Sequence, residues 1–115
     1  MENFISFGKM ALREVMNGAF VGSLDSENLT INYTDMKAGV EVPLHQHPEE
    51  AVDIIMEGEL EMQIGEAVNL LTNGMISIVP SNVPHRAKAI SDCKVITILY
   101  PHRSSLKKTN FIASE

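Results

Sequence analysis

Three histidines carry most of the chemistry this chain can do. His45-Gln46-His47 is followed much later by Pro80-Ser81-Asn82-Val83-Pro84-His85. In an extended strand residues i and i+2 point to the same side. His45 and His47 can therefore present two imidazoles together, and His85, arriving from a later strand, can close a three-nitrogen face. Imidazole is the usual ligand for Zn, Cu, Fe and Ni, so one divalent metal site is the leading expectation. The plainer alternative is a pair of loop histidines in a polar turn. Glu49 and Glu50, just past Pro48, admit two readings as well: Glu49 reaches the ion or its ligand, or both acids form a solvated turn.

The elements that must position these residues have period two. Leu60, Met62 and Ile64 alternate with Glu59, Glu61 and Gln63, and Leu29, Ile31 and Tyr33 with Thr30, Asn32 and Thr34, the pattern of strands with one buried face. Gly58 and Gly65 punctuate neighbouring strands, and Asn73-Gly74 favours a tight type I′ hairpin turn. The pattern predicts a meander of strands over 29–36, 41–44, 52–57, 59–64, 66–71, 75–79, 85–89 and 93–100, with helical character only over 9–17. So many antiparallel strands in a small chain remove their edges by curling into a barrel or jelly roll, and the fold class expected is all-β.

Length and composition set the bounds. At 115 residues with 44% hydrophobic content, one domain with a real core is expected over 1–115, with a flexible C-terminal tail from about 104. No run approaches membrane-spanning length and the first residues lack a signal-peptide pattern, so a cytoplasmic protein is expected. The net charge of −6 and the lack of a basic stripe argue against nucleic acid. Cys93, the single cysteine, cannot form an internal disulfide and lies in an apolar strand, which reads as a buried thiol.

On two motifs the chain resembles the small single-domain cupins. Gly39, five residues, His45, one residue, His47, then Gly58 resembles the first cupin motif; Gly74, five residues, Pro80, then His85 resembles the second. The motifs cover 39–89, and the strand pattern extends the likeness to most of the chain. The resemblance implies an antiparallel β-barrel or double-stranded jelly roll that binds one divalent transition metal (Fe, Mn, Ni or Zn), usually through three histidines and a Glu or Gln. Its members include dioxygenases, isomerases, epimerases, decarboxylases and sensors without activity, so membership does not choose a reaction.

The departures are informative. Where the family has its carboxylate or amide ligand this chain has Ala51, which cannot ligate. Either His45, His47 and His85 form a three-histidine face, as in some iron dioxygenases of the family, or a four-ligand site has been weakened. If Ala51 faces inward, Asp53 and Ile55 share its face, and Asp53 becomes a candidate proton carrier. If Pro48 resets the register, Val52, Ile54 and Met56 face the core instead. Ala87 and Ala89 share the face of His85 and leave room for a ligand. With Asp53 inward, Val52, Ile54 and Met56 form an outer apolar stripe that a homodimer or the N-terminal segment would cover.

Within the family the chain is most similar to the small cupins of pectin and alginate breakdown. Their last strand carries Asp-x-Phe-x-Pro-x-Arg, whereas this chain reads Thr97-Ile98-Leu99-Tyr100-Pro101-His102-Arg103. Arg103 can clamp a ligand carboxylate or stand on the surface. The resemblance implies a metal-dependent isomerase or tautomerase of a small, carboxylate-bearing or sugar-acid ligand, with Arg103 and Glu49 as candidate substrate contacts and Asp53 as the acid. Three-histidine iron dioxygenation and binding without turnover are the alternatives.

Overall fold

The computed structural model describes residues 3–103 and 110–111. A single turn of 3-10 helix at Phe7–Lys9 precedes eleven described strands: β1 (Arg13–Met16), β2 (Ala19–Asp25), β3 (Thr30–Met36), β4 (Glu41–Gln46), β5 (Glu50–Glu57), β6 (Leu60–Ile64), β7 (Ala67–Leu71), β8 (Ile76–Val79), β9 (His85–Ala89), β10 (Cys93–Tyr100) and β11 (Asn110–Phe111). They pair into two antiparallel sheets, one in the order β1-β2-β3-β10-β5-β8 and the other β11-β4-β9-β6-β7. This is the jelly-roll form of the expected all-β fold. Among the described residues the strands pair within two sheets and not in one closed ring.

The meander is corrected. From β3 to β10 successive strands pass from one sheet to the other, except at the β6–β7 hairpin. Each strand has one apolar face, and two such sheets bury both by packing face to face. Ala19, Met36, Ile55, Cys93 and Val95 of the first sheet meet Leu60, Met62, Leu71, Ala87 and Ala89 of the second in one cluster.

Asn73-Gly74 is likewise not a type I′ hairpin. Gly74 takes φ +83 while Asn73 does not enter the left-handed region, and the turn, closed by Met75 N–H on Thr72 O at 2.9 Å, joins strands of different sheets. The helical expectation over 9–17 also fails. Arg13–Met16 is a strand that pairs Arg13 with Val21 and Glu14 with Phe20, because pairing across the Asn17-Gly18 turn overrides a weak local preference. The expected tail from about 104 lies mostly outside the described residues; within it, Asn110 and Phe111 pair with Gln46 and His45.

Strand β5 settles the register that positions the site. Ala51, Asp53 and Ile55 are buried, while Val52, Ile54 and Met56 alternate on the outer face. On that face Val52 stands opposite Ile98 and Ile78, and Ile54 opposite Ile96 and Ile76, so the apolar stripe spans three strands. The N-terminal segment covers a neighbouring part: Phe7 stacks on Tyr33 at 5.1 Å.

Candidate metal centre

His45 is the penultimate residue of β4, His47 directly follows the strand, and His85 opens β9 directly opposite His45. The loop carrying Pro80 to Pro84 is tied to the first pair, since Asn82 N–H donates to His47 O at 2.8 Å. The ring centroids lie 4.1 Å (His45 to His85), 4.7 Å (His47 to His85) and 5.5 Å (His45 to His47) apart. One ligand nitrogen from each falls within 4.8 Å of the others.

Each ring is oriented in the same way. Nδ1 lies 2.8 Å from Pro43 O in His45, 3.0 Å from Glu49 O in His47 and 2.8 Å from Val83 O in His85. A carbonyl only accepts, so each Nδ1 carries the proton and Nε2 keeps the lone pair a metal requires. Burial is the largest influence on all three rings and holds their pKa values below the ordinary 6.5, against the opposing pull of the backbone hydrogen bonds. They are neutral at pH 7 and ready to ligate. The donor set therefore fits a divalent transition ion.

Ala51 faces the same cavity, 3% exposed, between Leu99 and Val79. Glu49 is not part of a solvated turn: its side chain is 2% exposed, with Oε1 3.4 Å from His47 Nδ1 and Oε2 3.9 Å from Arg103 Nε. It thus approaches His47 on the Nδ1 edge, away from the lone pair. Oε1 lacks a hydrogen-bond partner among the described residues. Arg103 lines the cavity, and its backbone N–H donates to Thr30 Oγ1 at 2.6 Å.

Asp53 lies inward, accepting from Thr97 Oγ1 at 2.6 Å and Ser77 Oγ at 3.0 Å. Burial dominates and raises its pKa above the ordinary carboxylate value, although both hydroxyls pull the other way. Thr97 and Asp53 are directly paired across β10 and β5. The carboxylate absent at 97 is therefore present one strand over. Ser77 was not visible as a partner in the sequence, because period two alone would turn the larger Ile76 and Ile78 inward; instead these are 56% and 59% exposed. Cys93 is buried, as expected, with its thiol donating to Glu59 O at 3.1 Å.

The cavity enclosed by these groups has a volume of about 210 Å³ and reaches from the histidines to Met36, Leu60 and Val95. Two facing sheets with three neutral imidazoles gathered on the inner surface define a β-sandwich with a candidate metal centre. Residues 32–99 match the family model of the cupin domain, and the chain belongs to the cupin family.

Among curated relatives, the H2HPP isomerase of Bacillus subtilis is 38% identical over 55 residues, which span 47% of this chain and only 23% of that protein. Among solved structures, an RmlC-like cupin from Shewanella frigidimarina superposes with a TM-score of 0.85 at 23% identity, covering 91% of this chain and 96% of that one. KdgF from Halomonas sp. gives a TM-score of 0.85 at 19% identity, covering 91% and 98%. At these identities the two structures speak for the fold.

Proposed function

We propose that the chain holds one divalent transition metal (Fe, Mn, Ni or Zn) through His45, His47 and His85 and acts as an isomerase or tautomerase of a small carboxylate-bearing ligand. The observation that carries this reading is Asp53: a buried acid with a raised pKa, held by two hydroxyls in the cavity the histidines line. Perturbed acids in clefts are where proton transfer is done. When bound, the ion supplies a Lewis acid for a ligand oxygen. Asp53 takes a proton from the carbon beside a ligand carbonyl and returns it to the carbonyl oxygen, giving the enol tautomer, or, where the carbonyl is conjugated with a double bond, to the far carbon of that bond. Arg103 receives the ligand carboxylate, and Glu49 fixes Arg103 and the ring of His47. The Ile- and Val-rich outer face supports a homodimer, and a cytoplasmic setting belongs to the same proposal.

Solvent-deuterium exchange into a panel of β-dicarbonyls and 2-oxo acids, followed by NMR, tests the proton step. Asp53→Asn should lower exchange about 100-fold or more with metal content unchanged; an undiminished rate would remove Asp53 from the mechanism. Elemental analysis of His45→Ala and His85→Ala should show metal lost in both. One observation favours a second reading, three-histidine iron dioxygenation: the described metal-ligand cluster contains no carboxylate. Selective iron retention with ligand-dependent O₂ uptake would select it.

A further inference from the structure

The walls of the cavity differ in kind. We infer that its ligand is a small carboxylate with an unhydroxylated hydrocarbon part, a branched or cyclic 2-oxo acid, and not a polyhydroxylated sugar acid; this rests on the function proposed above. On the second sheet, Val42, Ala87 and Met62 form one cross-strand row behind His45 and His85, with Leu60 beyond. Met36 and Val95 complete the apolar lining from the first sheet. Past the histidines this row presents methyl, methylene and thioether groups; Arg86, which also lines the cavity, has its guanidinium engaged by Gln63 at 2.8 Å and Glu61 at 3.3 Å.

The polar side chains opposite come from β3, β10 and β5: Asn32, Thr34, Thr97 and Asp53. Some of their capacity is already engaged. Thr97 donates to Asp53, and Asn32 Oδ1 accepts from Ser23 Oγ. A ligand with oxygens along one edge and hydrocarbon along the other matches both walls. A sugar acid carries hydroxyls on every side, and each one turned to the apolar row loses its partners in water, at about tenfold in affinity or more apiece. The volume of about 210 Å³ lies below the roughly 300–1,000 Å³ of drug-sized sites, which selects a compact acid. Ala87 sets the shape: its single methyl between Val42 and Met62 leaves the notch into which a branched chain or ring fits.

Calorimetric titration of the cobalt(II)-loaded protein with 4-methyl-2-oxopentanoate and with 2-ketogluconate, acids of equal carbon count, tests this. The hydrocarbon acid should bind at least about tenfold more tightly. Met62→Gln, which places an amide in the apolar row, and Ala87→Ser, which places a hydroxyl there at little change in size, should each bring the two affinities together with cobalt content unchanged. Equal or tighter binding of 2-ketogluconate by the unaltered protein overturns the inference, as does failure of both acids to bind. Cobalt content measured on the same samples reports separately on the three-histidine site, and the ratio of affinities decides the ligand class whether or not cobalt is retained.

Discussion

At position 51 a methyl group occupies the place of a ligand, and its surroundings say what a longer side chain would do. Ala51 lies between Leu99 and Val79, both buried, and borders the cavity, so a carboxylate placed there must turn toward the histidines. Ala51→Glu should tighten the metal dissociation constant, because an added anionic oxygen joins three neutral nitrogens, and lower turnover by filling a position that ligand needs. Unchanged metal affinity would mean that residue 51 does not reach the ion, and a parallel rise in turnover would mark a weakened four-ligand site. Asp53 gives a second prediction, in pH. Its folded-state pKa is raised, chiefly by burial, so the folded protein binds this proton more tightly than the unfolded chain does. Its contribution is fully present below the ordinary carboxylate range and is lost as pH rises through the folded value. Asp53→Asn, which cannot ionise, should therefore raise the melting temperature at neutral pH, with the gain shrinking as pH falls toward 4; a gain independent of pH would contradict the shift. Parity, a property of the strand itself, tied His45 to His47 and Asp53 to Ala51 in the sequence, but it left open which face of β5 turns inward, and the burial of Ala51, Asp53 and Ile55 decides that. The buried role of Glu49 was not legible there, since it depends on Arg103, which arrives just past the end of β10, far along the chain.

Among the strands and their connections, Gly58 is the most constrained point. It takes φ +94 between β5 and β6, and a Cβ there would stand 2.1 Å from Asp92 O. The backbone conformation alone disfavours a side chain by ~1–3 kcal/mol, and the clash adds to it. Gly58→Ala should therefore destabilise by at least ~2 kcal/mol in urea or thermal unfolding, whereas Gly39→Ala, with φ +92 and open space around its Cβ position, should lose only the conformational part. Equal effects at the two sites would show that Asp92 yields easily. Strand positions from β3 to β10 were readable to within a residue or two because alternation and glycine punctuation are local. The assignment of strands to sheets was not. It depends on which edge each connection crosses, and Gly74 serves equally well in a hairpin and in the sheet-to-sheet turn it makes. β1 and β2 were missed although Asn17-Gly18 repeats the dipeptide credited at Asn73-Gly74. Gly22 within β2 lies beneath Leu12 and Met10, and a strand that gives up a side chain to such an approach loses its alternation.

For the molecule as a whole, the outer face of the six-stranded sheet is more apolar than a solvated surface requires. Ile76, Ile78, Met56 and Tyr100 are 56%, 59%, 47% and 56% exposed, and they flank the half-buried rows of Val52 with Ile98 and Ile54 with Ile96. Contiguous surfaces of this kind mark contacts between molecules, and a two-fold pairing of identical faces is the simplest cover. Light scattering at micromolar concentration should give a dimer mass, and Ile54→Lys should give a monomer or an aggregate; a monomer from the unaltered chain would count against the pairing. The order of the first sheet has another consequence. β10 lies between β3 and β5, yet among the described strands only the two-residue β11 follows it in sequence. β3 and β5 leave the ribosome before β10, so each keeps one edge open until Cys93–Tyr100 can pair with it, and an open strand edge is a template for pairing with another chain. Thr97, the partner of Asp53, arrives on that same strand, and the site is therefore assembled in the step that ends this exposure.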